Sequence, residues 1–156
     1  MSSHLEFMAA RGIKRSVLSV STPQGSAFTH TTSSSERRAK TIALARLLNE
    51  YVAEVCRLCP GRFSWLCVTA LPYVDASVAE VRYAIEELGA VGVAVLTNAG
   101  GRYVGDEEND GLWGYLDGRG EGEVVFVHPT EPVIRLDDGR VVGSRPCEYS
   151  LFECGL

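Results

Sequence analysis

Four apolar runs alternate with three helical segments along this chain, and that alternation constrains the fold more than any other feature. The runs are Ile13–Ser21, Phe63–Pro72, Val91–Thr97 and Val124–His128. They read as continuous apolar stretches, which is typical of strands buried on both faces of a parallel sheet covered by helices. We therefore predict an α/β fold with about four parallel strands, each buried on both faces.

The segments between the runs carry helix signals. Ser33 precedes Glu36 by three residues, the spacing of a capping box, and Pro60 with Gly61 ends the helix that follows. Asp75 is the predicted N-cap of the second helix, which ends near Gly89. The apolar positions expected on the buried face of the first helix are Leu44, Leu48, Val52, Val55 and Leu58.

The pattern changes beyond Pro132. Two short β-like runs flank Asp137, Asp138 and Gly139, which together predict a hairpin of the Asp-Gly type. No linker or low-complexity tract divides the chain, so residues 1–156 are predicted to form one domain.

Charge and cysteine content exclude several classes of protein. The net charge of -5 gives no basic surface for phosphate, and neither a signal peptide nor a membrane span is apparent, so we expect a cytoplasmic protein without nucleic-acid or membrane partners. The five cysteines are scattered, which favours reduced thiols. Cys56 and Cys59 form a C-x-x-C pair. One interpretation is a zinc or redox site, and the simpler alternative is two small apolar residues at a helix end.

His128 ends the fourth apolar run and is followed by Pro129. In parallel α/β folds the loops after the carboxyl ends of the strands build the site, so His128 is predicted on the functional face. A lone imidazole there is by default structural; the alternative is a metal ligand or a proton-transfer group.

The glycine-rich segment Asn98–Glu108 follows the third run. Its glycine spacing matches neither a P-loop nor a dinucleotide-binding fingerprint, so nucleotide binding is not predicted. Asn98 and Tyr103 are candidate substrate contacts, and the alternative is a solvated loop.

Three segments together resemble a known family: "CPGRFSWLCVTALPYVD", "GVAVLTNAGGRYVGDEE" and "VFVHP". In this order they resemble the amidohydrolase-related metal-dependent enzymes, in the branch of 6-methylsalicylate decarboxylase and 2-amino-3-carboxymuconate 6-semialdehyde decarboxylase. The resemblance extends from Met8 to Pro132, and residues 133–156 form a divergent tail.

The resemblance implies a (β/α)₈ barrel with a divalent metal, usually zinc, and the activity of a metal-dependent hydrolase or carboxy-lyase, namely non-oxidative decarboxylation of an aromatic or muconate-type carboxylic acid. It implies His128 as a metal ligand. The other ligands and the catalytic residues of the family have no counterpart that can be placed on this chain. A full barrel takes about 250 residues, so we predict a partial barrel, about strands two to five, that is inactive alone. The alternative is a non-catalytic protein that associates through exposed strand edges, and a homo-oligomer stays open.

Overall fold

The computed structural model describes residues 2–28, 33–120, 122–130, 132–138 and 141–142. The helices are α1 (Ser2–Ala10), α2 (Ser34–Leu58), α3 (Val74–Glu86) and α4 (Asp110–Asp117). The strands are β1 (Ser16–Leu18), β2 (Phe63–Trp65), β3 (Cys67–Val68), β4 (Gly92–Leu96), β5 (Asn98–Ala99), β6 (Arg102–Tyr103), β7 (Val124–His128), β8 (Ile134–Arg135) and β9 (Val141–Val142). Short 3₁₀ turns span Gln24–Phe28 and Glu107–Asn109.

The main sheet is parallel. β1 pairs with β2, and β3, β4 and β7 pair in that order, all parallel. Two backbone hydrogen bonds join the two parts around Leu66: its N–H donates to the Leu18 carbonyl at 2.9 Å, and the Val91 N–H donates to the Trp65 carbonyl at 2.9 Å. β2 and β3 thus act as one interrupted strand, and the predicted α/β fold with four parallel strands is confirmed.

The core lies between the sheet and helices α3 and α4. Val93 and Val95 of β4 pack in one cluster with Val81 of α3 and with Leu112 and Leu116 of α4. All five side chains are buried, and this packing confirms the expected burial of the third apolar run.

The prediction that both faces of every strand are buried is wrong for β1, whose Val17 is 58% exposed, and for β7. Val124, Val125, Phe126 and Val127 are 42–52% exposed. Within the described residues β7 pairs only with β4. An apolar strand at the end of a sheet is buried only when something covers it.

The predicted cap of α2 is confirmed and that of α3 is wrong. The Ser33 hydroxyl accepts a hydrogen bond from the Glu36 N–H at 3.3 Å. α3 begins one residue before the predicted cap, with Tyr73 as its N-cap, so Asp75 lies in the first turn. There its carboxylate accepts two hydrogen bonds from Arg38, at 3.1 and 2.6 Å, and these lower the pKa of Asp75. The Asp75 carboxylate therefore links the first turn of α3 to Arg38 of α2.

The buried stripe of α2 contains polar residues. It is formed by Thr41, Ala45, Asn49 and Val52, whereas the predicted Leu58 is 59% exposed. The Asn49 amide donates to the Val68 carbonyl at 3.1 Å and accepts from the Val68 N–H at 2.8 Å. It also donates to the buried carboxylate of Glu80 at 3.0 Å, so one side chain links α2, β3 and α3.

Beyond β7 the predicted hairpin is confirmed, since β8 and β9 pair antiparallel. Gly139, at its predicted turn, lies outside the described residues, as does the tail from residue 143 onward. In the part of the chain that the structure describes, every helix is too short or too polar to cross a membrane.

Candidate functional site

The carboxyl ends of the parallel strands carry the candidate site. His128 is the last residue of β7, as its position in the sequence predicts, and pairs with Leu96 at the end of β4. Its carbonyl accepts a hydrogen bond from the Thr97 N–H at 3.0 Å. The backbone at His128 is therefore fixed by the sheet, and its side chain stands at the end of a rigid element.

Both ring nitrogens of His128 have partners. Nδ1 lies 2.7 Å from the carbonyl oxygen of Pro129, and Nε2 lies 3.1 Å from the hydroxyl oxygen of Ser21. Because a carbonyl can only accept, Nδ1 carries the proton, and in the neutral ring the lone pair of Nε2 accepts the Ser21 hydroxyl. This arrangement leaves Nε2 as the basic atom directed into the site.

Ser21 reaches His128 from the far end of the sheet. Two strands separate β1 from β7, and at the usual strand spacing of about 4.8 Å this amounts to roughly 14 Å. The segment after β1 must therefore cross over the ends of the intervening strands. Gln24 holds that segment, because its side chain is buried and its amide donates to the Val20 carbonyl at 2.6 Å.

Neither Ser21 nor Gln24 is among the site residues predicted from the sequence. Ser21 lies at the end of an apolar run, which predicts the correct face of the sheet but not the crossing to His128. The conformation of Gln24, with φ of 40°, is uncommon for a residue other than glycine and has no signature in a single sequence.

A second cluster joins the ends of β4 and β7. The hydroxyls of Thr97 and Thr130 lie 2.6 Å apart, and the Thr130 N–H donates to the Thr97 hydroxyl at 3.0 Å. The Asn98 amide donates to the Thr130 hydroxyl at 2.8 Å. Asn98 therefore helps to anchor the turn that follows His128.

The glycine-rich segment is a tight hairpin rather than an open loop. Asn98 pairs with Tyr103 across β5 and β6, and Gly100 and Gly101 make the turn at positive φ. The Tyr103 phenol donates to the Val133 carbonyl at 3.1 Å and accepts from the Val133 N–H at 2.9 Å. Both candidate substrate contacts thus lie in one hairpin beside the end of β7, and their contact with a substrate stays a prediction.

The described residues do not hold a complete metal site. They include no group of three or more histidine, cysteine or acidic side chains placed to bind one ion. His4 stacks on Phe63 with ring centroids 5.7 Å apart, and His30 lies outside the described residues. Cys56 lies in the last turn of α2 and Cys59 follows it as the C-cap; burial raises the pKa of Cys56, which disfavours the thiolate that metal binding needs.

Comparison with known families decides the assignment. A family model described as Amidohydrolase matches residues 2–150. The chain belongs to the amidohydrolase family. The resemblance read from the three sequence segments is therefore confirmed, and the amidohydrolase relatives next described are decarboxylases.

Two curated relatives are fungal enzymes. The decarboxylase yanB of Aspergillus niger is 31% identical over 134 residues, which cover 82% of this chain and 34% of the relative. The 6-methylsalicylic acid decarboxylase acuB of Aspergillus aculeatus is 34% identical over 97 residues, which cover 60% of this chain and 29% of the relative. This amidohydrolase chain thus spans about a third of the length of the curated relatives it matches.

Solved structures of two decarboxylases share the fold of this chain. The 2,6-dihydroxybenzoate decarboxylase from Rhizobium superposes with a TM-score of 0.72 at 25% identity, covering 97% of this chain and 44% of the other. A dihydroxybenzoic acid decarboxylase from Polaromonas, solved with bound manganese and the inhibitor 2-nitroresorcinol, has a TM-score of 0.71 at 20% identity, covering 85% of this chain and 39% of the other. These likenesses cover nearly all of this chain and less than half of each structure.

Proposed function

We propose that this chain forms part of a metal-dependent carboxy-lyase that removes carbon dioxide from an aromatic or muconate-type carboxylic acid. In this proposal His128 binds a divalent metal through Nε2. The observation that carries the proposal is the position of His128 at the carboxyl end of β7, with Nδ1 held by the Pro129 carbonyl.

The hydrogen bond at Nδ1 supports the ligand role. Histidines that bind metals typically donate the other ring N–H to a carbonyl or carboxylate, which fixes the tautomer and raises the basicity of the coordinating nitrogen. The Pro129 carbonyl supplies that contact, and the Ser21 hydroxyl marks the direction in which Nε2 points. The family resemblance implies zinc, and the manganese of the Polaromonas structure supports a divalent cation of this class.

The fold proposed for this function is a partial (β/α)₈ barrel. Support for this proposal comes from the four parallel strands with helices between them and from the position of the candidate site at the carboxyl ends of the strands, where barrel enzymes place their chemistry. Asn98 and Tyr103 are proposed to contact the oxygen atoms of the substrate from the β5–β6 hairpin.

The chain alone is proposed to be inactive. A catalytic zinc site takes about three protein ligands, and the described residues include no group of three or more histidine, cysteine or acidic side chains that could hold one ion. The chemistry therefore depends on ligands from outside this set of residues.

Metal titration tests the proposal. Isothermal titration of the 156-residue chain with Zn²⁺ and with Mn²⁺ is expected to show weak binding at one site that disappears in His128→Ala. His4→Ala is the matched control, since it removes an imidazole that stacks on Phe63 at a distance from the strand ends, and it should retain the binding. The chain incubated with 2,6-dihydroxybenzoate or 6-methylsalicylate should release no carbon dioxide. Tight stoichiometric binding that survives His128→Ala would rule out His128 as the ligand.

A second candidate function is that of an interaction protein without catalytic activity. It is favoured by the exposure of β7, where four consecutive apolar side chains are 42–52% exposed. Exposed strand edges are templates for pairing with another chain. A monomer with no tendency to associate would count against this candidate.

A further inference from the structure

The Pro129 carbonyl that faces Nδ1 of His128 belongs to the peptide group joining Pro129 to Thr130. This peptide group is trans. A trans peptide group is planar, so its C=O and its N–H point in opposite directions within one plane. The direction of the Thr130 N–H therefore determines the direction of the carbonyl that faces the imidazole.

Thr97, which directly follows β4, contacts the peptide groups on both sides of Pro129. Its hydroxyl oxygen accepts a hydrogen bond from the Thr130 N–H at 3.0 Å. Its own N–H donates to the His128 carbonyl at 3.0 Å. The proline ring fixes φ between these two groups at about −65°. The backbone from His128 to Thr130 is therefore held at both ends by a single residue of the neighbouring strand end.

The Thr130 hydroxyl strengthens this attachment. Its oxygen accepts from the backbone N–H of Asn98 at 3.3 Å and from the side-chain amide of Asn98 at 2.8 Å, which together use both of its lone pairs. Its proton is therefore donated to the Thr97 hydroxyl oxygen, 2.6 Å away. The Thr97 hydroxyl thus accepts from both the N–H and the O–H of Thr130, and it fixes that residue at two points.

The Ser21 hydroxyl, on the other side of the ring, does not select the tautomer of His128. A hydroxyl donates to an unprotonated Nε2 and accepts from a protonated one, so the contact of 3.1 Å suits either form of the neutral ring. A carbonyl can only accept, so the Pro129 carbonyl is the contact that requires the proton on Nδ1. A rotation of the Pro129–Thr130 peptide away from the ring would remove this requirement.

We propose that Thr97 is a positioning residue for the His128 imidazole. By holding the Thr130 N–H, its hydroxyl directs the Pro129 carbonyl at Nδ1 and so keeps the lone pair on Nε2. The value of this arrangement for metal binding rests on the proposed function, because a metal takes the unprotonated ring nitrogen while the other N–H is held by an acceptor. The end of β4 thereby controls a group on β7.

Tautomer populations of the 156-residue chain test the inference. In ¹H–¹⁵N multiple-bond NMR spectra recorded at pH 8, Thr97→Val should lower the ratio of the Nδ1–H form to the Nε2–H form of His128 by about 2- to 10-fold, the effect of one lost hydrogen bond. Thr97→Ser keeps the hydroxyl and should restore the ratio. Thr130→Val is the matched control, since it removes a hydroxyl of the same cluster but keeps the N–H that bonds Thr97, and the Nδ1–H form should stay predominant.

Three results would overturn the inference. They are an unchanged ratio in Thr97→Val, a Thr97→Ser ratio as low as that of Thr97→Val, and an equal loss in Thr130→Val, which would mean that the cluster as a whole sets the tautomer. Hydrogen exchange of the unmodified chain covers the case in which Thr97→Val fails to fold. The Thr130 amide should be protected, and exchange at the rate of an unstructured peptide would show that Thr97 does not hold it.

None of these measurements uses a metal, so they separate the positioning role from the proposed carboxy-lyase function. If the tautomer depends on Thr97 while zinc titration shows no binding at His128, the positioning role stands and the metal-binding proposal fails. If zinc binds at His128 and the ratio does not respond to Thr97→Val, the positioning role fails and the metal-binding proposal stands.

Discussion

The Nε2 atom of His128 lies 3.1 Å from the hydroxyl oxygen of Ser21, although 107 positions separate the two residues. The contact joins the first and last strands of the parallel sheet above the ends of the two between them. It fixes the direction of the imidazole, and with the Pro129 carbonyl at Nδ1 it assigns the proton of the neutral ring to Nδ1.

The first prediction concerns that tautomer. In a ¹H–¹⁵N multiple-bond NMR spectrum recorded at pH 8, the neutral ring of His128 should carry its proton on Nδ1. Ser21→Ala should leave this assignment unchanged, because the Pro129 carbonyl alone requires a donor at Nδ1. A ring protonated at Nε2 would contradict the geometry, and with it the direction in which the proposed metal ligand points.

The second prediction is that Gly92→Ala destabilises the fold. A Cβ at this position would lie 2.8 Å from the backbone nitrogen of Val124, and it would overlap the Val124 carbonyl oxygen. Because the neighbour is the backbone of β7, it cannot move aside as a side chain would, so we expect a loss of at least about 1–3 kcal/mol in the free energy of unfolding. Urea denaturation followed by circular dichroism measures it.

Gly114→Ala is the matched control for Gly92→Ala. Gly114 lies inside α4, and a Cβ there would have no atom within 4 Å. This substitution should increase stability by about 0.5–1 kcal/mol through helix propensity. Equal effects at the two glycines would show that the close approach of β4 and β7 is absent.

The third prediction concerns the amide of Asn49. Asn49→Leu keeps the approximate volume of the side chain but leaves the Val68 N–H and carbonyl without their partners. Since an unsatisfied buried polar group costs about 1–3 kcal/mol, we expect a loss of roughly 2–4 kcal/mol in chemical denaturation. Leu47→Gln, on the exposed side of the same helix, should change stability by no more than about 0.5 kcal/mol. If Asn49→Leu left the free energy of unfolding unchanged, water would be making the hydrogen bonds to Val68 in place of the amide.

The fourth prediction is a pH dependence caused by Cys67. Burial raises the pKa of this thiol from 9.0 to about 12. The unfolded chain loses the proton as pH rises above about 9 while the folded chain keeps it, so the contribution of Cys67 to stability is complete below pH 9 and declines between pH 9 and 12. The destabilisation caused by Cys67→Ala should therefore be constant below pH 9 and become smaller above it. A difference that does not change up to pH 10.5 would contradict the burial of the thiol.

Much of the fold could be predicted because it depends on local pattern. The second and third apolar runs indicate buried strands, and within them Phe63, Trp65 and the whole of Gly92–Leu96 are buried. The Ser33 cap with Glu36 predicts the start of a helix, and α2 begins there. The apolar run at Val124–His128 also predicts a buried strand, and that prediction is wrong. An apolar run indicates that a strand tends to be buried, but it does not indicate whether another element is present to cover it. The cap predicted at Asp75 is wrong because α3 begins one residue earlier, at Val74, and the Asp75 carboxylate there also pairs with Arg38, which is distant in sequence.

The residues of the candidate site also fall into two groups, those that local sequence pattern predicts and those that it does not. His128 could be selected because its place at a strand end is a local property. Its partner Ser21 could not, because the crossing of the sheet depends on how the segment after β1 is held by Gln24. The buried Glu80 was missed for a related reason: its carboxylate is satisfied by Asn49 and Arg46 on another helix, and single-sequence periodicity does not register such partners.

The amide of Asn49 makes both hydrogen bonds at Val68 that a neighbouring strand would otherwise make. A helix side chain thus acts as a substitute strand, and it does so directly beyond the point where β1 stops pairing at Leu18. The backbone after Leu18 is released from the sheet as a result and can pass over the strand ends toward β7. The contact of Ser21 with His128 therefore depends on the Asn49 amide of α2. We expect a substitution at Asn49 to change the position of the His128 imidazole as well as the packing of the core.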